Sequence, residues 1–356
     1  MKICVDCFND KELKAVAEGL KTNGKCDVCG KETHVYDTKL SDTIVDIIDD
    51  FMNMYKPANE NVEGEYRLNL ENELINRWKV FSKSCAYKVK NIIKAIYEYS
   101  AETQERFDVN LFDNEVYIPQ TVEKEYLMEN AILKNHDWSD FTYGIKHKNR
   151  YHSSILNKER LDDFLEPLSI NIVAGTKFYR ARISNREGFK SKEMRMPPLE
   201  KARSGRIGAE GIPCFYLAND RDTAIKEVRA GAFDYVTIAR FASKKSIKVI
   251  DLRLLDHISP FSVSDPVLMA VNYDTLIKIK EEVEKPVRVT ENNIEYVPIQ
   301  YICDYIRSKG YNGIIYNSTM SAKGFNLSAF SDMDFKYLDK LVYYVKDIEV
   351  FVDKNV

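Results

Sequence analysis

The sequence has no run of about 18 apolar residues that could cross a membrane, and it has no excess of charge of either sign. Its 356 residues include 52 basic and 55 acidic side chains, which gives a net charge of −3. This balance excludes a uniformly basic nucleic-acid-binding protein, although it allows a local basic patch. The first residues, MKICVDCFND, lack the apolar core of a signal peptide. We therefore expect a soluble, cytoplasmic protein without membrane association.

Glycine is scarce in the middle of the chain, where residues 31–174 contain only Gly64 and Gly144. From Gly175 onward there are nine glycines. This contrast predicts a helical middle region and a last half that is rich in strands and turns. The length also exceeds what a single compact core usually supports, so we expect more than one domain.

Four of the seven cysteines form two CxxC pairs, Cys4 with Cys7 and Cys26 with Cys29. Each pair presents two thiolates on one turn, and two such turns form the tetrahedral sulfur cage that zinc prefers. Because four protein thiolates leave no open coordination position, we predict a structural zinc ion. The alternative, a disulfide within each pair, is disfavoured in a reducing compartment.

The cysteine pairs define a small module over residues 1–35, followed by a helical domain over residues 36–165 and a third domain over residues 166–356. Residues 1–34 carry six lysines and six acidic side chains, so this module presents no basic face. A mini-fold stapled by zinc, or a protein-contact module, is therefore favoured over a nucleic-acid reader. The other three cysteines lie in apolar surroundings and are predicted to be core residues.

Apolar residues recur at helical spacing in two stretches of the middle region. Residues 44–55 predict a helix that is capped by Ser41 or Asp42 and ends before Pro57. Residues 74–96 keep the same period and predict one helix of about six turns. Further helices are expected around residues 121–134 and 158–166, so the middle region is predicted to be a helical bundle. The basic stretch KHKNRYH (residues 146–152) is predicted to be a solvated loop, with nucleic-acid or partner contact as the alternative.

The pattern changes from residue 170 to short strand-like runs. A helix is expected from Thr223 to Arg229, after the capping residues 219–222. These runs and this helix predict a mixed α+β domain. The predicted strands span residues 178–183, 214–217, 236–241, 247–252, 313–316 and 342–351.

Three glycines at intervals of three surround Arg206 in the segment SGRIGAEG (residues 204–211). The spacing differs from the dinucleotide-binding GxGxxG pattern, and the segment precedes a strand instead of following one, which excludes a Rossmann interpretation. Such a loop lets the backbone approach a ligand closely, and the planar guanidinium fork suits a diphosphate. The alternative is an ordinary ion pair, for example with Glu210.

Tyr216, Glu227 and Ser318 follow Arg206 at a spacing that resembles the RES family, bacterial NAD⁺-degrading proteins named for an Arg, a Glu and a Ser. The resemblance covers roughly residues 170–335. It rests on the strand FYRAR, the segment GRIGAEGIPCFYLA, the helix with TAIKEV, and the closing YNS. The second of these resembles the family pattern GR(W/F)N-x-x-G-x-x-x-x-Y-x-A, with Ile and Gly in place of the aromatic residue and the Asn.

The resemblance implies a fold similar to that of mono-ADP-ribosyltransferase toxins, with NAD⁺ as substrate in a cleft between two small sheets. It implies a toxin or an anti-phage effector, accompanied by a cognate antitoxin or regulatory protein. The zinc pairs and the helical region resemble the HEPN-type N-terminal region of some members. The implied catalytic residues are Arg206, Tyr216, Glu227 and Ser318, and the implied NAD⁺-binding residues are Arg180, Arg206, Tyr216 and Asn326.

Cleavage of the nicotinamide–ribose bond builds positive charge on the ribose, as in glycoside hydrolysis. The carboxylate of Glu227 suits this charge, while the Tyr216 ring could stack on nicotinamide or its hydroxyl could orient the ribose. Ser318 is expected to donate a hydrogen bond, because no nearby histidine would activate it. We therefore predict hydrolysis or phosphorolysis of NAD⁺. The alternatives are ADP-ribosyl transfer to a protein or nucleic acid, and a non-catalytic zinc-containing binding protein. Nucleic-acid binding and oligomer formation stay open.

Overall fold

The computed structural model describes residues 1–285 and 293–349, which form two compact units. The first unit comprises Met1–Asn135 and Asp256–Asp274, and the second comprises His136–Leu255 and Thr275–Val356. The predicted domain boundaries at residues 35 and 165 stay a prediction. Within the described ranges, no helix combines the length and apolar character needed to cross a bilayer.

The first unit contains a small antiparallel sheet of three strands in the order β1-β3-β2, and a two-stranded ladder of β4 and β5. Its longest helix outside residues 256–274 is α2, which begins after Asp42 as predicted. The other helices of this part of the chain are short. The elements before residue 136 are β1 Lys2–Cys4, α1 Lys11–Gly19, β2 Asn23–Lys25, β3 Glu32–Asp37, α2 Thr43–Asn53, β4 Lys56–Pro57, α3 Leu70–Asn72, α4 Val89–Tyr97, α5 Ala101–Glu105, β5 Val116–Tyr117 and α6 Lys124–Asn130.

The prediction of one continuous helix over residues 74–96 is wrong. The chain leaves the helix after a π-helical turn at Glu73–Arg77, and Lys79 adopts a left-handed conformation with φ of 52°. It then forms a 3-10 turn at Lys83–Lys88 before α4 begins. The apolar residues that set this period are nevertheless buried, whereas Tyr87, which lies outside it, is exposed. The period therefore predicted burial correctly but not a continuous helix.

The segment after that break packs on the cysteine-bearing N-terminus within the first unit. Phe8 and Phe81 form an isolated bridge with ring centroids 5.8 Å apart. The Ser82 amide donates to the Cys7 carbonyl at 2.9 Å. The N-terminal module and the helical segment therefore share one hydrophobic core.

The second unit is built on an eight-stranded mixed sheet in the order β13-β9-β7-β8-β12-β11-β10-β6. The first five predicted strands are present, and β6 and β12 are additional to them. The predicted strand over residues 342–351 is correct only for residues 342–344, because β13 begins at Phe335 and ends at Tyr344, where its pairing with β9 stops. Residues 345–349 are not in a strand, and residues 350–351 lie outside the described residues. The strands are β6 Ser169–Ile172, β7 Lys177–Ser184, β8 Phe215–Ala218, β9 Tyr235–Ser243, β10 Ile247–Asp251, β11 Gly313–Asn317, β12 Phe325–Ala329 and β13 Phe335–Tyr344.

The sheet is a single ladder, whereas the resemblance implied two separate small sheets. It nearly divides at β7 and β8, which are joined by only one residue pair, Tyr179 with Ala218. Phe215 of β8 and Phe335 of β13 would be about 14 Å apart in a flat sheet, because three strand spacings separate them. Their ring centroids lie 5.7 Å apart, so the sheet curls around a buried aromatic cluster.

Five helices of the described chain begin after residue 135. Four of them belong to the second unit, and α10 has residues in both units. The helix after β8 confirms the expectation of a capped helix there, since Asp220 accepts the Thr223 amide at 2.8 Å. The two long helices between β10 and β11 were not predicted. The helices from residue 136 onward are α7 Trp138–Tyr143, α8 Lys158–Leu165, α9 Arg221–Glu227, α10 Pro266–Glu284 and α11 Val297–Ser308.

Candidate active site

The place where β7 and β8 diverge holds two of the predicted site residues. Arg180 of β7 donates from Nη1 to the carbonyl of Tyr216 in β8 at 3.0 Å, and its guanidinium lies over the Phe215 ring. Its Nε is buried without a hydrogen-bond partner. Burial, together with the positive charge of Arg182, lowers the pKa of Arg180 to about 10. An anion placed next to this guanidinium would stabilise its charged form.

Glu227 is the last residue of α9, and two neutral donors hold one of its carboxylate oxygens. The Ser318 hydroxyl donates to Oε1 at 2.5 Å, and Asn326 Nδ2 donates to the same oxygen at 2.8 Å. Both donors are buried, whereas Glu227 itself is exposed. Among the described residues Oε2 has no partner, so this oxygen is the one available to a ligand.

Strand register brings these donors together. Asn326 of β12 pairs with Tyr316 of β11 on one side and with Ala218 of β8 on the other. Ser318 follows directly after β11, and its hydroxyl also accepts the Met320 amide at 3.2 Å. The hydroxyl is thus oriented from both ends, which suits a fixed hydrogen-bond donor.

Arg206 lies in a loop that packs against Tyr216 and the end of α10. Its Nη1 donates to the Val283 carbonyl at 2.8 Å, not to Glu210, while its Nε and Nη2 are buried without partners. The Tyr216 hydroxyl points into the same loop, and burial there raises its pKa well above the usual range. Tyr216 as a whole residue is 37% exposed while its hydroxyl is held in the loop, so the ring and not the hydroxyl faces the open side.

Two cavities meet at Tyr216, Glu227, Tyr316 and Asn326, which line both. The smaller cavity, of about 230 Å³, contains Arg180. The larger, of about 470 Å³, contains Arg206 and is cationic, because four basic side chains face two carboxylates. The four basic residues are Arg203, Arg206, Arg229 and Lys285, and the two acids are Glu227 and Glu284.

The family model of the RES domain matches residues 177–349. The second compact unit of this chain is built around a RES domain. No curated protein matches the chain. The crystal structure of the M.tuberculosis MbcT-MbcA toxin-antitoxin complex aligns with 51% of this chain and 91% of that chain, at 11% sequence identity and a TM-score of 0.30.

The RES domain also has a larger opening of about 650 Å³, lined by residues of β7, β9, β13 and the start of α9. Its cations already have partners. Arg240 donates from Nε to Asp339 at 2.7 Å, and Arg221 donates to Asp222 at 3.0 Å. This distinguishes the opening from the two cavities at Glu227, where Arg180 and Arg206 keep buried donors without partners.

Two residues of the RES domain that take part in the site were not anticipated. Glu284, in the last turn of α10, accepts the Asn317 amide at 2.9 Å and Lys280 Nζ at 2.9 Å. Gln300 of α11 donates to the loop that carries Arg206. Both lie on helices that no local motif indicated, and their only signal was the helical period of the apolar residues around them.

The four predicted metal ligands come together in the first unit, outside the RES domain. The sulfur atoms of Cys4, Cys7, Cys26 and Cys29 all lie within 4.8 Å of one another. Three of the separations are 3.4, 3.5 and 3.7 Å. A tetrahedral zinc ion with Zn–S bonds of about 2.3 Å needs about 3.8 Å between sulfurs. Backbone amides of Cys4 and Val28 also donate to the sulfur of Cys26, as expected for a thiolate. The cluster therefore fits a tetrahedral metal ion.

A methyl group on Gly205 would lie 2.9 Å from the Tyr216 hydroxyl oxygen but 3.8 Å from the ring carbon that bears it. We therefore predict that Gly205→Ala destabilises the protein by about 1–3 kcal/mol, as overpacking does. Tyr216→Phe removes the clashing oxygen, so the double variant should recover part of this loss. Denaturant unfolding of the two single variants and the double variant measures the coupling.

The control is Gly64→Ala, because nothing lies within 4 Å of the added methyl group there. It should change stability much less. Strictly additive effects of Gly205→Ala and Tyr216→Phe would contradict the predicted contact.

Proposed function

We propose that the protein cleaves the nicotinamide–ribose bond of NAD⁺, by hydrolysis or phosphorolysis. The observation that carries this proposal is the carboxylate of Glu227, which stands where two cavities meet and keeps one oxygen unpartnered. A half-buried arginine with at least one buried, unpartnered nitrogen lines each cavity. Membership of residues 177–349 in the RES family agrees with this chemistry.

The two arginines suit the diphosphate of NAD⁺. Arg206 is anchored through one nitrogen, and its Nε and Nη2 are buried without partners. A small shift of the side chain into the cavity would let them donate to a phosphate oxygen. Arg180 has no carboxylate partner, and its lowered pKa reflects the cost of burying that charge alone. An incoming phosphate anion would supply the missing counter-charge to both.

Glu227 is suited to the developing charge of the transition state. As the bond between ribose C1′ and the nicotinamide nitrogen breaks, its electron pair moves to that nitrogen and positive charge grows on the sugar. A carboxylate that is already oriented needs no reorganisation to stabilise this charge. An oxygen of water or of inorganic phosphate then bonds to C1′, and in the case of water a proton leaves to solvent.

The remaining predicted site residues would orient Glu227 or pack against the nicotinamide. Because the Tyr216 hydroxyl faces the Arg206 loop, we assign its exposed ring to stacking on the nicotinamide. Ser318 and Asn326 are assigned to holding Glu227, since both donate to its Oε1. Asn326 would therefore act on NAD⁺ through Glu227, in addition to lining both cavities.

Product analysis tests the proposal. Wild-type protein with NAD⁺ should release nicotinamide together with ADP-ribose, or with its phosphorylated form when inorganic phosphate is the acceptor. Incubation with and without phosphate distinguishes the two. Label that accumulates on a protein or nucleic acid would indicate ADP-ribosyl transfer instead, and intact NAD⁺ would indicate a binding protein.

We further propose that this activity makes the protein a toxin or anti-phage effector with a cognate antitoxin, because depletion of NAD⁺ stops growth unless it is restrained. Expression in a bacterial host tests this role. Wild-type protein should arrest growth, and the Glu227→Gln variant should not. Equal arrest by both would contradict it.

Glu227→Gln should lower kcat by about two to three powers of ten with little change in NAD⁺ binding. The amide preserves the shape of the side chain but lacks the negative charge. Steady-state NAD⁺ consumption and ligand titration measure the two effects. Glu210→Gln is the matched control, because it removes an exposed carboxylate from the neighbouring loop and should be nearly silent. Near-parental turnover of Glu227→Gln would refute the mechanism.

Arg206→Ala should show the opposite pattern, with weaker NAD⁺ binding and a lower kcat/KM. It removes two donors that we assign to the diphosphate. Calorimetric titration with NAD⁺ and with free ADP-ribose should show a similar loss for both, because both contain the diphosphate. A variant that binds ADP-ribose as tightly as wild type would exclude Arg206 as the diphosphate ligand.

We propose that the ion held by Cys4, Cys7, Cys26 and Cys29 is a structural zinc. Four sulfur ligands at tetrahedral separations favour zinc and leave no position for substrate. The ion would stabilise the first unit, in which the Cys7 backbone also accepts a hydrogen bond from Ser82.

Metal analysis should return one zinc per chain, and Cys26→Ser should lose most of it, because hydroxyl oxygen is a poor zinc ligand. Cys303→Ala, which removes a buried cysteine of α11, is the control and should keep full zinc content. Purified wild-type protein without zinc, or with disulfides within the two CxxC pairs, would contradict the assignment.

A further inference from the structure

Gln300 of α11 is a buried polar residue that contacts the Arg206 loop. Its side chain is buried, with 6% exposure for the residue. Nε2 lies 2.5 Å from the Gly205 carbonyl oxygen, 3.0 Å from Ser204 Oγ and 3.4 Å from the Gly208 carbonyl oxygen. Three acceptors of one loop therefore face a single amide group from a helix 95 residues further along the chain.

The chemistry of these acceptors assigns the orientation of the amide. Two of them are carbonyl oxygens, which only accept hydrogen bonds, so the NH₂ group and not the oxygen of Gln300 must face them. Among the described residues, Gln300 provides the only hydrogen bond to the Gly205 carbonyl. Loss of that donor would leave a partly buried carbonyl without a protein partner.

The same loop has two further anchors. The Gly205 amide donates to the Gly208 carbonyl at 2.8 Å, which closes a tight turn around Arg206. The Tyr216 hydroxyl packs against the turn from one side, and Arg206 itself donates to Val283 at the end of α10. Gln300 is the anchor that acts on the backbone on both sides of Arg206.

We propose that Gln300 is a positioning residue, which holds the backbone of residues 204–208 and thereby keeps the guanidinium of Arg206 at the wall of the larger cavity. Its effect on catalysis rests on the proposed NAD⁺ cleavage, whereas its effect on the loop does not. A positioning error of about 1 Å can cost two powers of ten in rate. Gln300→Leu should therefore lower kcat/KM for NAD⁺ by about ten- to a hundredfold, mainly through KM.

Gln300→Glu gives a readout that a general loss of stability would not. An ionised carboxylate would face two carbonyl oxygens and repel them, but a protonated carboxyl group can donate to them. Burial and the carbonyl dipoles disfavour the charged form and raise its pKa, so donation returns as the pH falls. The ratio of variant to wild-type kcat/KM should therefore rise by up to about tenfold per pH unit lowered, until the carboxyl group is protonated. The corresponding ratio for Gln300→Leu should stay flat.

Hydrogen exchange of the full-length protein tests the loop independently of catalysis. In Gln300→Leu the backbone amides of residues 202–212 should exchange several-fold faster than in wild type at the same pH, while those of β9 and β13 stay unchanged. Gln104→Glu places the same new charge on the exposed side of α5 and should leave both exchange and activity as in wild type. Gln300→Met, which keeps the length but has no donor, replaces Gln300→Leu if that variant fails to fold, and exchange then decides the role of Gln300 if Gln300→Glu does not fold.

The outcomes separate the two proposals. If wild-type protein does not consume NAD⁺, the proposed function fails, and exchange alone decides the role of Gln300. Unchanged exchange over residues 202–212 in Gln300→Leu would overturn the positioning role. So would a Gln300→Glu activity ratio that does not change with pH in an active enzyme.

Discussion

One carboxylate oxygen that accepts two hydrogen bonds organises the site. Ser318 and Asn326 both donate to Oε1 of Glu227, and they belong to different segments of the chain. They meet because β11, β12 and β8 pair in antiparallel register, which places the end of β11 beside the start of β12. A shift of one residue in either ladder would turn Asn326 to the opposite face of the sheet. The orientation of Glu227 therefore depends on the register of three strands.

The second constraint is buried positive charge without a protein counter-ion. Arg180 and Arg206 each keep a buried nitrogen without a partner, although other cations of the same domain are paired with carboxylates. Burying a guanidinium in this way costs stability unless a ligand completes it. The aromatic cluster around Phe215 stabilises the curled sheet and so compensates for this cost. This arrangement is common in binding sites, where an apolar core supports a few polar groups that face the ligand.

Local sequence patterns predicted which residues are buried better than they predicted where helices begin and end. The apolar period over residues 74–96 was correct about burial, but Lys79 takes a left-handed conformation and breaks the helix. The helices α10 and α11 were not predicted, because the glycine content of the last half of the chain as a whole indicates strands and turns. Six of those nine glycines precede residue 232, and none lies between Gly231 and Gly310, where both helices occur. This stretch of the chain is free of glycine, which is the local signal that favours helices there.

The sequence by itself determined the features that depend on neighbouring residues. The CxxC spacing brings each pair of thiols onto one turn, and Asp220 caps the helix after β8 that carries Glu227, because both features are set within a few residues. Tertiary structure decided the rest. Gln300 reaches Gly205 and Asn326 reaches Glu227 across 95 and 99 residues, and such contacts depend on strand register and helix packing. Only the folded chain also decides that Arg206 donates to Val283 instead of Glu210, since burial and the competing partners of a side chain are properties of the whole domain.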